Sequence, residues 1–186
     1  FSITLIDSAG NSTGQVTGTD DGSSVWYDGT APTMSPVSFH STNVNSDGVA
    51  VLGDTLILDF ISSESLSTIS VSIAGIVSEI NLLDGVLPTY QSKRILDGSE
   101  DEGVIPFQII FSDLVGNDGG AIMSTTDGTS ILFDMTPPVQ FTLDSSYSSG
   151  GNIIPGYWNS SSDSIFLNVS LPSDDQSLVG GRLQPR

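Results

Sequence analysis

An all-β fold is what this sequence predicts, and three observations predict it. Short stretches alternate apolar and polar residues with period two, as half-buried strands do. Clusters of Gly, Asn, Asp and Ser, the residues that favour turns, divide those stretches. One pattern of strand and turn is also written twice, 106 residues apart. Residues 1–32 lie over 107–138 without a gap, and thirteen of the 32 pairs are identical, among them Phe1/Phe107, Ile3/Ile109, Asp7/Asp113, Asn11/Asn117, Asp28/Asp134 and Pro32/Pro138. A match that keeps turns and strand faces together over such a length is an internal repeat.

Each copy is expected to hold two strands with turns around them. "FQIIFSD" (107–113) puts Phe107, Ile109 and Phe111 on one face, and "DLVGN" then turns at Gly116-Asn117, residues that tolerate left-handed backbone. "TSILFD" (129–134) sets Ile131 and Phe133 on one side, and the Asp127-Gly128 before it predicts a hairpin. Proline ends the run, since it cannot continue a central strand. Beyond it, "PVSFHST" (36–42) corresponds to "VQFTLDS" (139–145), and "DTLILDFISSE" (54–64) to "DSIFLNVSLPS" (163–173). "IAGIVSEINLL" (73–83) is rich in β-branched residues beside glycine and predicts strand or loop rather than helix.

One complete unit therefore covers residues 31–137, with the C-terminal strands of a preceding unit in 1–30 and the N-terminal strands of a following one in 138–186. A unit of about 100 residues with many short strands and polar turns predicts tandem immunoglobulin-like β-sandwiches. An opening inside a motif predicts a longer polypeptide, or end units completed by another chain across open sheet edges.

Composition narrows the function. The 186 residues include 22 acidic and 4 basic side chains, a net charge of −18. Nucleic-acid binding needs clustered Lys and Arg to release counterions, so nucleic acid is excluded as a partner, and an anionic membrane surface is equally disfavoured. Such a surface repels its own copies and concentrates cations. No cysteine is present, which excludes disulfides, thiolate metal sites and a cysteine nucleophile. Stretches such as "TLILDFI" (55–61) fall far short of the roughly 18 apolar residues of a membrane-spanning helix, so no membrane insertion is expected.

The order "F-x-I-x-x-x-D-x-x-G-N", "D-G-x-S", "D-x-T-x-P" resembles the tandem bacterial-type Ig-like repeats of long cell-surface adhesins and extracellular fibre proteins, and "GYWNSSSDSIFLNVSLPSDD" (156–175) is similar to the opening of such a repeat. The likeness covers essentially the whole chain, with Gly29 and Met135 departing at a position often polar in the family. It implies an extracellular or cell-surface, non-enzymatic rod, a fibre, stalk or filament whose partners are neighbouring Ig-like units or subunits. A carbohydrate- or receptor-binding module, with cell-surface glycans as partners, shares the fold.

The search for chemistry finds no enzyme. His40, the single histidine, alternates with Val37 and Phe39 in a strand and is expected to face solvent, and no nucleophile elbow accompanies it. Glu100 and Glu102 in "GSEDEG" could in principle form a glycosidase dyad, but a like-charge run bounded by glycine is expected to be a solvated turn. Calcium is the sharper expectation, because Ca²⁺ takes six to eight oxygens from carboxylates and carbonyls in loops. Asp28 and Asp134 precede the linker prolines, and Asp7 and Asp113 begin the neighbouring turns. In similar adhesins such junction aspartates bind Ca²⁺ and stiffen the array. Turn chemistry accounts for the same residues, since Asp caps nearby N–H groups. Sequons stand at Asn11, Asn159 and Asn168, acceptors of glycan in a secreted eukaryotic protein, with Asn159 expected to be the most accessible. Trp26, matched by Leu132 in the other copy, is expected to pack at a junction or partner surface, whereas Trp158, without a matched residue, suits either packing or stacking on a sugar ring.

Overall fold

A computed structural model describes residues 1–172 together with Leu178 and Gly181. It is all-β, and the described residues hold no α-helix. The strands are β1 (Met34–Ser41), β2 (Val49–Ala50), β3 (Thr55–Ser62), β4 (Leu66–Ile73), β5 (Ile76–Val77), β6 (Ile80–Leu83), β7 (Thr89–Ile95), β8 (Gly103–Val104), β9 (Phe107–Asp113), β10 (Asp118–Ile122), β11 (Leu132–Phe133), β12 (Thr142–Ser149) and β13 (Ser164–Ser170).

Two four-stranded antiparallel sheets, ordered β1-β3-β7-β6 and β10-β9-β4-β5, share one apolar core. The period-two reading holds in both. Along β3 every second residue is buried, Leu56, Leu58, Phe60 and Ser62, and along β9 the buried set is Phe107, Ile109, Phe111 and Asp113. The sheets meet where Phe39 of β1 sets its ring edge-on to Phe107 of β9, centroids 5.3 Å apart. No buried side-chain polar atom among the described residues lacks a hydrogen-bond partner. Residues 73–83 are strand and turn as expected. β4 and β5 join through Ala74 and Gly75, both at positive φ (53° and 76°), the geometry of a two-residue hairpin turn whose twist suits the strands.

The "DLVGN" turn does connect two strands, but the second is β10, not "TSILFD". Ile131 and Phe133 are buried on one side as the alternation requires, yet β11 enters a separate three-stranded sheet, parallel to β2 and antiparallel to β8. Asp127-Gly128 is accordingly not a hairpin turn. Asp127 Oδ1 accepts the N–H and the hydroxyl of Thr129, and this loop runs along β1, with Val37 N–H donating to Thr126 Oγ1 and Phe39 N–H to Thr129 Oγ1. The loop thereby covers an edge that would otherwise offer unpaired backbone groups.

The hairpin half of the repeat folds alike in both copies, whereas Trp26 and Tyr27, which lie over Leu132 and Phe133 of β11, form no strand and are exposed. Ile3 pairs with Val16 and Ile6 with Ser12. Their counterparts Ile109 with Ile122 and Ser112 with Asp118 pair in the β9–β10 hairpin. Asp7 Oδ1 takes the N–H of Ala9 and of Asn11 at 2.9 and 2.8 Å, just as Asp113 Oδ1 takes those of Val115 and Asn117. Gly10 and Gly116 stand at φ 92° and 96°, where an L side chain is strained.

One interior pair is exchanged between copies. A Cβ on Gly119 would lie 2.1 Å from the Phe111 ring, so the phenyl group occupies the room that glycine leaves. The first copy has the smaller Leu5 and, at the glycine position, Thr13, whose hydroxyl accepts the Leu5 N–H at 3.0 Å. The apolar face buried in the second copy is open in the first, where Phe1, Ile3 and Leu5 are all exposed.

Beyond the second linker β12 and β13 form an antiparallel hairpin. β12 begins at Thr142, so "VQFTLDS" is only partly strand. Leu143 faces Val169 as Val37 faces Phe60, which carries the 106-residue spacing into β12 and displaces the counterpart by three residues.

Candidate functional site

The linkers and the turns beside them bring the acidic residues together. Asp113 closes the inward stripe of β9 and is 1% exposed. Its Oδ1 accepts the N–H groups of Val115, Gly116 and Asn117 at 2.7–2.9 Å, and its Oδ2 accepts the Asn117 side-chain amide at 2.7 Å. Burial alone pushes this carboxyl up, but the hydrogen bonds from the Asn117 side chain and from the N–H groups of 117, 115 and 116 outweigh it and hold the carboxyl below its ordinary value of 3.8. Asp7, exposed in the first copy, is also lowered, chiefly by the Asn11 side chain.

The Asn117 amide reaches a second partner. Besides Asp113 it donates to the carbonyl oxygens of Asp28 and Thr30, 3.2 Å from each. The first linker is further tied to the end of β3, with Thr33 N–H on Ser63 Oγ at 3.0 Å and Ser63 N–H on the Thr33 carbonyl at 2.9 Å. These ties set Asp28, Glu64 and Asp113 around one point, one carboxylate oxygen of each within 4.8 Å of the others.

Of the four aspartates expected to meet a cation, the structure joins Asp28 and Asp113 and keeps Asp7 and Asp134 apart from them. Glu64 was not singled out in the sequence. Its signal was modest: it ends the Asp-led strand segment whose counterpart in the third unit, at Ser173, lies outside the described residues. The donor set is three hard oxygens, the type Ca²⁺ prefers. Among the described residues the basic side chains are Lys93 and Arg94, opposite Ile57 and Leu56 near the start of β3, whereas Glu64 follows its end. Like charges at this spacing repel unless something positive sits among them. The three carboxylates could hold a metal ion, supplying three of the six to eight oxygens that Ca²⁺ takes.

The second linker is held differently. Met135 N–H donates to Glu102 Oε1 at 2.6 Å, and the Thr136 hydroxyl reaches both carboxylate oxygens at 2.9 and 3.0 Å. Met135 N–H first, then the Thr136 hydroxyl, draws the Glu102 carboxyl below its ordinary 4.5. This contact is complete above that value and is lost as pH falls through the lowered one. Asp28 and Asp134 play the same local part in both linkers, each accepting the N–H two residues on, from Thr30 at 3.0 Å and Thr136 at 2.9 Å.

Glu100 departs from expectation. It is buried, not a solvated turn residue, because Arg94 turns its guanidinium onto Glu100 Oε1 through Nε (2.9 Å) and Nη2, while Oε2 takes the N–H groups of Gly98 and Asp97. Each carboxylate of the "GSEDEG" run that a dyad would use is thus engaged, Glu100 by Arg94 and Glu102 by the linker. His40 is half-exposed, 3.7 Å from Asp59 across the strand pair. Asn11 and Asn168 are exposed, but Asn159 is half-buried, its amide on the Asn152 carbonyl at 2.8 Å, so it is the least accessible sequon. Trp26 is 90% exposed and Trp158 54%, so neither is packed away within the described chain. No family model, curated protein or solved structure matches this chain.

Proposed function

We propose that this chain is a length of an extracellular or cell-surface rod, an adhesin shaft or fibre built of tandem immunoglobulin-like sandwiches, without enzymatic activity, whose partners are the neighbouring units. The observation that carries this reading is the repetition of one hairpin. Residues 1–16 reproduce the bridges, the turn glycine and the aspartate hydrogen bonds of residues 107–122 at the same spacing. Units that recur at fixed distance and end in equivalent linkers contact mainly their neighbours, the arrangement an extended array needs. The acidic surface suits a soluble shaft that repels its own copies.

Calcium belongs to the same reading. A cation held by Asp28 of the linker with Glu64 and Asp113 of the central unit would tie one unit to the next. Small-angle scattering of the chain, in chelator and in millimolar Ca²⁺, tests both parts. A rod gives a radius of gyration well above the roughly 16 Å of a compact 186-residue body, and a compact profile would overturn it. Calcium is expected to raise the melting temperature, with a stabilisation of about 2.7 kcal/mol at a hundred-fold excess over Kd. The Glu64→Gln variant is expected to lose that rise. Identical melting with and without the ion would remove calcium and leave the rod.

One observation favours a carbohydrate-binding module as the second reading. Tyr147 of β12 and Phe166 of β13 stack at 5.1 Å, and both rings are about half exposed. Binding on a glycan array that disappears with Tyr147→Ala would support it, and an empty array would leave the rod alone.

A further inference from the structure

We infer that the central unit grips the D-x-T segment of each linker through one side chain, Asn117 on the incoming one and Glu102 on the outgoing one, and that the two grips are complementary. This rests on the rod reading and specifies how its joints are held. Asn117 presents an amide N–H to the carbonyls of Asp28 and Thr30. Glu102 presents its carboxylate to the N–H of Met135 and the hydroxyl of Thr136. The two linkers are equivalent in sequence, Asp28-Gly29-Thr30 lying over Asp134-Met135-Thr136. One grip therefore uses the carbonyls of the first and third linker residues, and the other uses the N–H of the second and the hydroxyl of the third. No atom is claimed twice.

The remaining donor is satisfied within the linker, since the first-position aspartate accepts the third residue's N–H in both copies. This division gives a partner to the N–H of the second and third residues, the carbonyls of the first and third and the threonine hydroxyl, in a segment that is largely exposed. A single linker can thus be held from both flanking units at once, by a carboxylate behind and an amide ahead. Units joined by a free linker move relative to each other by default; a linker whose hydrogen-bonding groups are consumed on both sides is a fixed joint. The partner recognised by Asn117 and by Glu102 is accordingly a D-x-T linker, through its carbonyls for Asn117 and through an N–H and the threonine hydroxyl for Glu102. The first copy carries the same amide at Asn11, held by Asp7 Oδ2 at 2.9 Å as Asn117 is held by Asp113.

The absence of native cysteine lets spin labels be placed freely. Pulsed electron spin resonance on the full chain would use Ser8→Cys with Glu79→Cys across the first linker, and Glu79→Cys with Ser160→Cys across the second. Each pair is expected to give one narrow distance peak. Asn117→Ala is expected to abolish the narrow peak of the first pair only, and Glu102→Ala that of the second only. Thr136→Val, which lies beyond β11 and leaves Glu102 and the strands of the central unit unchanged, should act as Glu102→Ala does. If Asn117→Ala lowers the melting temperature through its bond to Asp113, the Glu102 and Thr136 variants decide. Narrow peaks unchanged by Glu102→Ala and Thr136→Val would overturn the grip while leaving the rod in place. Broad peaks in the unsubstituted chain would overturn both.

Discussion

Phe111→Ala is expected to cost about 3–5 kcal/mol, the range for removing a fully buried phenyl ring. The ring is 1% exposed in the shared core. Its removal would also leave empty the space over Gly119, where backbone cannot follow the lost atoms. Against a total stability of roughly 5–15 kcal/mol for a domain, the loss should be plain in the midpoint of urea unfolding, and a change under about 1 kcal/mol would contradict the packing described. The first copy supplies an internal control. Gly119→Thr alone should destabilise strongly, because its Cβ meets the Phe111 ring. The double variant Phe111→Leu with Gly119→Thr, which imports the Leu5/Thr13 pair, should cost less than the two single changes summed.

Arg94→Ala is expected to cost a similar amount, about 3–5 kcal/mol, because it leaves a buried carboxylate without its counterion. The Glu100 side chain is 1% exposed and that of Arg94 12%. Glu100 is also what the N–H groups of Asp97 and Gly98 donate to, so the pair anchors the loop that leads from β7 toward Glu102. Arg94→Lys should recover only part of the loss, since an ammonium cannot present the guanidinium's planar fork. Thermal melting of the two variants checks this, and equal stability of Arg94→Ala and the unsubstituted chain would show the pair to be dispensable.

What could be read in advance was local. The strand faces of β3 and β9 follow from period-two alternation, and the Asp113–Asn117 turn follows from residues whose side chains bond their own backbone. Asp28 stands out because it precedes a linker proline and Asp113 because it begins the neighbouring turn, each matched by an aspartate in the other copy. What escaped was decided at a distance. β10, "DGGAI", has too few apolar residues to alternate and becomes a strand only by pairing with β9. β11 lies parallel to β2, whose sequence is far upstream, and no local signal announces such a partner. Glu100 reads as one more acid in a charged run until Arg94 is folded over it. Glu64 joins Asp28 and Asp113 because Ser63 ties the end of β3 to the linker, a contact between segments thirty residues apart. The second linker's dependence on Glu102 is of the same kind.

The exchanged steric pair bears on whether the two hairpins could trade strands as the chain folds. Adjacent homologous units are prone to misassembly, each offering the other an imitation of its own missing strand. Here the imitation fails at one position. Were residues 12–16 to take the place of β10 beside β9, Thr13 would drive a branched side chain into the Phe111 ring. The turns stay alike while the residues facing one another across each hairpin do not interchange.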